Sequence, residues 1–335
     1  MATMKAVDIK GSKGQRDALY INPNTPLPTP SEGQVLVKIK AFGINRMDII
    51  QRLGLYPVPS QAPSTLGVEF SGTIHSLGPG QKHDGFQLGD EVFGLAYGGA
   101  YAEYIAISSK MLLHKPSHMT FTQAAAIPEA WITATQALHM VLGFAAGKSI
   151  LWHAGASGVG IAGIQLSRAA GASAIYATAG SDEKCSFLTS ELGATAAFNY
   201  KTQDWVQGIK DATQGRGVDF IVDFVGADYW HKNLDVAARD ARIVLLGTLS
   251  GTKVPEVDVS QILFKRLRIE GSALRSRDEE YQRKLRDRLE TYAPQFEAGE
   301  LKIIVDKVMP WEDIQEAHRY MEEARNTGKI VCTIP

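Results

Sequence analysis

Residues 153–160 read His153-Ala154-Gly155-Ala156-Ser157-Gly158-Val159-Gly160, between an apolar run from Ser149 to His153 and a breaker-poor stretch from Val159 to Ala170. A strand, a glycine turn and a helix in that order constrain the fold more than any other feature of the chain. The glycines allow a tight turn and a close approach of backbone N–H groups to a pyrophosphate, and the helix N-terminus then faces the negative charge. Gly155 and Gly160 stand at the first and third glycine positions of G-x-G-x-x-G, and Ser157 at the second, where a hydroxyl still admits a phosphate and can bond to it. A plain strand–helix turn is the competing reading, and the surrounding pattern favours the dinucleotide turn. Ala174 to Thr178, Asp219 to Asp223 and Arg242 to Leu246 read as strands, and Asp182 to Leu192 and Tyr229 to Ala238 as helices. Apolar strands separated by helices predict a doubly wound parallel sheet.

The remaining chain has a different texture. Its 335 residues exceed one ordinary core, so two domains are expected. Val35 to Lys40, Val68 to Leu77 and Glu91 to Leu95 are strand candidates among Pro and Gly clusters such as Asn24 to Pro30 and Gly78-Pro79-Gly80. They predict a small barrel-like β domain before residue 125. Glu129 to Leu142 reads as a helix, Arg277 to Phe296 as one long charged helix, and Ile303 to Pro335 as short strands around a helix from Trp311 to Ala324.

Composition narrows the function. Hydrophobic residues make up 44%, charged residues 21%, and the net charge is −1, which fits a soluble globular protein with no nucleic-acid or membrane-surface partner. No apolar run reaches the ~18 residues of a membrane helix. Met1 to Lys10 lacks a signal-peptide core, and the last residues match no retention or lipidation tail, so the cytoplasm is the expected compartment. Cys185 and Cys332 are the only cysteines, too few for a disulfide framework or a structural zinc lobe, and the eight histidines show no H-E-x-x-H spacing. No metal is expected.

The second strand bears on the cofactor. NAD sites usually place Asp or Glu about 20 residues past the turn, on the ribose 2′-OH. Here the strand end reads Thr178-Ala179-Gly180-Ser181. Gly180 leaves room, and Ser181 and Lys184 suit a 2′-phosphate, so NADPH is expected. Asp182 and Glu183 lie next door, where acids also complement a helix dipole. Other constellations carry little. Asp219 and Asp223 face one way along a strand and read as sheet-edge or turn residues. His153 reads as a satisfied histidine and not a base, and Ser157 lacks the preceding glycine of a nucleophile elbow.

Taken together, the motifs resemble the zinc-free quinone oxidoreductase branch of the medium-chain dehydrogenase/reductase superfamily. The turn resembles its A-G-x-S-G-V-G signature, Asn45-Arg46-Met47-Asp48 its N-R-x-D segment, and Gly67-Val68-Glu69-Phe70-Ser71-Gly72 its G-x-E-x-x-G. Ala124 to Pro128, Phe264 to Ser272 and Asn326 to Val331 follow in the family's order. Ile127 to Trp131 and Leu274 to Arg277 are similar to the p53-inducible type within the branch. The resemblance implies a GroES-like β-rich catalytic domain over 1–128 and 273–335, with a Rossmann coenzyme domain over 129–272. Zinc members of the superfamily carry Cys where Asn45 stands and His where Val68 stands, so no metal is implied, and Glu69 is expected to be structural.

The same resemblance assigns a site. Asn45 would lie near the nicotinamide, and Tyr56 at the substrate cleft. Gly155, Ala156, Ser157, Gly158, Val159 and Gly160 would hold the pyrophosphate. Gly180, Ser181, Lys184 and Tyr200 would hold the 2′-phosphate. Leu246, Gly247, Ser272, Ala273 and Leu274 would line the nicotinamide pocket, and Asn326 would close over the cofactor. The blander alternatives are a turn residue for Asn45, a loop aromatic for Tyr56, a solvated lysine for Lys184, a packed tyrosine for Tyr200, strand-end packing for the pocket residues and a helix C-cap for Asn326. The implied activity is reduction of a quinone by NADPH, with the nicotinamide in an inter-domain cleft, in a homodimer formed through coenzyme-domain edge strands. The alternatives are reduction of an enone or enoyl C=C bond, and cofactor binding without catalysis.

Overall fold

The computed structural model describes residues 2–80 and 83–335; Met1, at the head of the expected first domain, and residues 81–82 lie outside them. The chain divides into two compact units, Met1–Ile132 with Arg275–Pro335, and Thr133–Leu274. No helix among the described residues is long and apolar enough to cross a membrane.

The first part of the chain is β-rich. Strands β1 (Thr3–Ile9) and β2 (Leu19–Pro26) pair antiparallel. Then come β3 (Gln34–Ile44), helix α1 (Arg46–Arg52), β4 (Glu69–Leu77), β5 (Glu91–Leu95), β6 (Tyr104–Ser108) and β7 (Leu112–His114). Two helices follow, α2 (Phe121–Ala125) and α3 (Pro128–Thr135). The helix expected over 129–142 does not keep one geometry, because α3 passes into a π-helical turn at Gln136–Val141.

The second unit alternates strand and helix: β8 (Ser149–Trp152), α4 (Gly158–Ala169), β9 (Ala174–Ala179), α5 (Asp182–Ser190), β10 (Ala196–Asn199), α6 (Trp205–Ala212), β11 (Val218–Asp223), α7 (Trp230–Val236), β12 (Ala237–Leu245), α8 (Ser260–Lys265) and β13 (Arg268–Gly271). All its strands pair in parallel, in the order β10-β9-β8-β11-β12-β13. The order reverses between β8 and β11, the switch point where doubly wound sheets bind ligands. Asp219 and Asp223 therefore do not mark a sheet edge; β11 is an interior strand, and the two acids stand near its opposite ends. Both β8 and β11 are wholly buried. Helix α4 approaches β8 closely because Gly163 has no side chain: a Cβ there would lie 2.4 Å from the Trp152 ring. Trp152 Nε1 donates to Ser167 Oγ at 3.0 Å, which fixes the packing.

The chain then returns to the first unit with α9 (Glu279–Glu290), α10 (Ala293–Glu297), β14 (Val305–Pro310), α11 (Ile314–Glu322) and β15 (Lys329–Thr333). The single helix expected over 277–296 is broken, and Pro294 occupies the first turn of α10, where its missing N–H is harmless. β15 pairs antiparallel with β3, Ile330 opposite Ile44, completing a seven-stranded sheet in which β6 also pairs with β3. That sheet carries the last segment of the chain to the end of β3, beside Asn45.

Because Gly163 leaves no room for a Cβ against Trp152, Gly163→Ala should destabilise the protein by about 1–3 kcal/mol through overpacking, measured by urea unfolding. A change within about 0.5 kcal/mol would contradict this reading.

Candidate active site

In the parallel-sheet unit, the residues expected to bind cofactor follow the carboxyl ends of the strands. Residues 155–160 follow β8, Gly180 and Ser181 follow β9, and Tyr200 follows β10. Leu246 and Gly247 follow β12, and Ser272, Ala273 and Leu274 follow β13. The structure thus brings them to one edge of one sheet. In the glycine turn, Ala154 adopts a left-handed φ of 48°. Gly155 packs where a Cβ would lie 2.8 Å from Leu188 Cδ1 and 2.9 Å from Ala177 Cβ. A Cβ on Gly160 would lie 2.5 Å from Ala154 O. Ser157 is the N-cap of α4, its Oγ accepting the Gly160 N–H at 3.1 Å, while Gly158 and Val159 open the helix and Ala156 is buried. Helix geometry leaves the other leading amides without intrahelical acceptors, which suits an anion.

At the second strand, a Cβ on Gly180 would meet Tyr200 Oη at 2.7 Å and Lys201 Cε at 3.5 Å. Tyr200 is 43% exposed, so its hydroxyl lies over Gly180 at the surface and not in the core. Lys201, unmarked in the sequence reading, joins this group. Ser181 caps α5, its Oγ accepting the Lys184 N–H at 3.3 Å. The neighbouring acids are engaged: Asp182 accepts from Asn199 Nδ2 at 2.8 Å, and a backbone hydrogen bond and Ser181 hold Glu183 below the usual carboxylate range. Gly247 stands against Phe224 O, and Leu246 N–H donates to Asp223 O at 2.8 Å. Ser272 N–H donates to Leu245 O, but its buried Oγ has no hydrogen-bond partner. An orphaned hydroxyl and glycine-cleared turns fit a nicotinamide dinucleotide.

Beneath this edge lies a polar network missed by the sequence reading. His153 Nε2 donates to Asn233 Oδ1 at 2.7 Å, and Nδ1 accepts from Thr178 Oγ1 at 3.0 Å. Asn233 Nδ2 donates to Asp223 at 3.0 Å, and Asp223 accepts the Val225 and Gly226 amides. Burial lowers His153 to about 4, with Asn233 pulling it back up, so it is a neutral, satisfied histidine, as expected. Burial raises Asp223 to about 6.

The β-rich unit holds the other residues. Asn45, expected near the nicotinamide, is a buried N-cap residue of α1, its backbone N–H donating to Asp48 Oδ2 at 2.8 Å. Its side chain is clamped: Nδ2 donates to Glu69 Oε1 at 2.8 Å, and Oδ1 accepts from Lys329 Nζ at 2.7 Å. Glu69 also accepts the Glu129 N–H, and Lys329 pairs with it at 2.5 Å. Gly43 makes the room, since a Cβ there would lie 2.2 Å from Glu69 Oε1. Burial pushes the Asp48 carboxyl up to about 6, against the Asn45 amide, the Tyr101 hydroxyl, and Arg275 and Lys329. Tyr101 in turn meets His318 Nε2 at 3.3 Å; burial and then Arg52 lower His318 to about 3. Arg52 donates to His318 Nδ1 and pairs with Glu322.

Tyr56 is half-buried beneath the Arg275 guanidinium, 5.4 Å from the ring centroid. Burial raises its phenol, and Arg275 opposes the rise. Arg275 is itself held by Gln51 at 2.6 Å and Tyr97 O at 2.5 Å. Asn326 does not cap α11, which ends at Glu322; its Nδ2 donates to Gly328 O at 2.7 Å in the turn into β15. Lys329, Asp48 and Arg275 were not picked out as site residues. The signal available for Lys329 was a lysine heading the apolar strand Ile330-Val331-Cys332, with a lone acid in the apolar segment Val68-Glu69-Phe70 to match it.

Residues 31–117 match the alcohol dehydrogenase GroES-like domain model, and 158–291 the zinc-binding dehydrogenase model. Pig quinone oxidoreductase is 28% identical over 323 residues, covering 96% of this chain and 95% of its own. An NAD-dependent alcohol dehydrogenase crystal structure shares 30% identity and a TM-score of 0.86, covering 99% of this chain and 100% of that one. The CurK enoyl reductase shares 30% identity and a TM-score of 0.84, with 100% of both chains covered. A mycobacterial protein complexed with NADPH shares 27% identity and a TM-score of 0.87, covering 99% of this chain and 100% of that one. The chain belongs to the medium-chain dehydrogenase/reductase superfamily. It is an oxidoreductase of that superfamily, with a GroES-like domain and a parallel-sheet domain. Among the described residues, no three His, Cys, Asp or Glu side chains cluster as a metal site; where zinc members carry Cys and His, this chain has Asn45 and Val68.

The shifted groups carry a pH signature. His153 gains its proton near pH 4 in the fold but near 6.5 when unfolded, so its contribution to stability falls as pH drops through that window. Asp223 has the opposite sign: its folded value of about 6 exceeds 3.8, so its contribution falls as pH rises between those values. His153→Gln keeps Asp223 and removes only the histidine's linkage. Wild type should therefore lose stability relative to the variant between pH 6.5 and 4.5, by at most about 1.4 kcal/mol per pH unit, read from urea midpoints. A pH-independent difference would contradict this.

Proposed function

We propose that this oxidoreductase reduces quinones with NADPH, without a metal. Bound NADPH supplies the hydride. The residues at the carboxyl ends of β8, β9 and β10 bind and orient it, and Asn45 and Tyr56 bind the acceptor. The observation that carries the cofactor half is the end of β9. Of the acids beside it, Asp182 accepts from Asn199 and Glu183 is held by Ser181 and a backbone amide, while Tyr200 and Lys201 stand against Gly180 and Lys184 lies in the first turn of α5. The support for a quinone as acceptor is the likeness to quinone oxidoreductase across nearly the whole chain. Asn45 is clamped as a donor, and Tyr56 offers a ring face and a hydroxyl, which suits a flat acceptor whose oxygen gains negative charge. The absence of a metal in this reading is supported by Lys329, whose ammonium supplies the buried positive charge beside Asn45 and Glu69. We place the activity in the cytoplasm, in keeping with two buried, unbridged thiols.

A second reading is favoured by the likeness to the CurK enoyl reductase: the same constellation would reduce an activated C=C bond. Steady-state oxidation of NADPH and NADH with an ortho-quinone, a para-quinone and an enone separates the two. Fast NADPH-preferring turnover with quinones is expected. Turnover with the enone alone would transfer the function to C=C reduction, and tight NADPH binding with no turnover would reject both. Lys184→Ala should weaken NADPH binding about tenfold or more, as for loss of one charge-assisted hydrogen bond, and leave NADH nearly unchanged. Equal losses for both cofactors would reject the 2′-phosphate assignment.

We infer also that the protein is a homodimer joined through β13, which forms one edge of the parallel sheet. Beside it, Leu263 and Phe264 of α8 are 70% and 72% exposed, an apolar edge that calls for cover. Phe264→Glu should halve the mass measured by sedimentation equilibrium; an unchanged mass would reject this interface.

A further inference from the structure

Asparagine's amide nitrogen and oxygen are similar in size, so its orientation is set by its partners. At Asn45 those partners are of opposite kinds. Lys329 Nζ can only donate, and it meets Oδ1 at 2.7 Å. Glu69, ionised beside that ammonium, can only accept, and it meets Nδ2 at 2.8 Å. Turning the amide over would set N–H against ammonium and oxygen against carboxylate. Two charge-assisted hydrogen bonds would become two repulsions, inside a site where the Glu69 side chain is 0% exposed and that of Lys329 6%. The ammonium has no proton to spare: its three donors go to Glu69 Oε1, Asn45 Oδ1 and Ile44 O. Glu69 is pinned in turn, with Oε2 accepting the Glu129 N–H at 2.8 Å and Gly43 leaving its carboxylate the space it fills.

We propose that Lys329, held by Glu69, is the positioning residue that locks the Asn45 carboxamide in one orientation, so that Asn45 meets a bound carbonyl or hydroxyl oxygen as a donor and never as an acceptor. The inference rests on the reading above in which Asn45 faces the reactants. Nδ2 carries two hydrogens and Glu69 takes one, so the second is the group Asn45 offers to an oxygen of the acceptor or of the nicotinamide ribose. Lys329 acts through Asn45 and neither touches the reactants nor transfers a proton.

Lys329→Met alone would strand the Glu69 charge and could prevent folding, so the test removes both charges together. Lys329→Met with Glu69→Gln is made in the wild-type background and in Asn45→Ala. Turnover is measured with NADPH and a quinone, and the Asn45 side-chain amide is followed by 15N–1H NMR, assigned by its loss in Asn45→Ala. With Asn45 present, the paired change should lower kcat about tenfold, less than outright loss of an oxyanion donor, with a smaller effect on KM for NADPH, and the amide signals should move. In Asn45→Ala the same change should cost no more than about twofold further. An equal loss in both backgrounds, or an unmoved amide signal, would overturn the proposal. Full kcat in Asn45→Ala would instead overturn the functional reading of Asn45, and the amide spectrum would then judge the lock by itself.

Discussion

A carboxylate with no exposed surface cannot stay charged alone, and Glu69 is such a group. Lys329 answers it at 2.5 Å, and the remaining lone pairs go to Asn45 and the Glu129 amide. Much of the β-rich unit follows from this pairing. β15 must reach the end of β3, β4 must present Glu69 there, α3 must begin against Glu69, and Gly43 must lack a side chain. Asn45, on which the proposed chemistry turns, inherits its orientation from the same pair.

The parallel-sheet unit obeys a different constraint, which is steric. Gly155, Gly160 and Gly163 stand where a Cβ would meet neighbouring atoms at under 3 Å, so the turn after β8 and the packing of α4 on Trp152 depend on their missing side chains. Electrostatics enters below the turn, where His153, Asn233 and Asp223 tie β8, α7 and β11 together without exposing a charge. Tyr56 adds a third kind of interaction, a ring held under the Arg275 guanidinium that opposes the rise burial imposes on its phenol.

Sequence made the architecture legible where periodicity was strong. The parallel sheet, the glycine turn and strands such as Glu91–Leu95 follow from apolar runs bounded by breakers. Helix 277–296 was less legible because no breaker stands at Glu290, where α9 ends, and Pro294 begins a new helix and does not end the old one. Strand β10 and helix α6 were not singled out in the sequence, β10 being four residues of which two are alanine. The residues proposed to hold the cofactor fall on one edge of the sheet because each of their segments follows a strand. Lys329 and Arg275 were not, because their roles come from partners far away in the chain, Glu69 for one and Tyr56, Gln51 and Tyr97 for the other. The sheet-edge reading of Asp219 and Asp223 failed for the same reason, since position in the sheet depends on strand order, while the turn reading holds for Asp223, which accepts the Val225 and Gly226 amides.

Transfer of the NADPH hydride to a quinone is tested most directly by offering the protein NADPH carrying deuterium in the transferred position, together with equal amounts of a quinone and an enone. The quinone should be consumed with a primary isotope effect and the enone recovered without deuterium. Deuterium at the carbon β to the enone carbonyl, with the quinone untouched, would contradict it.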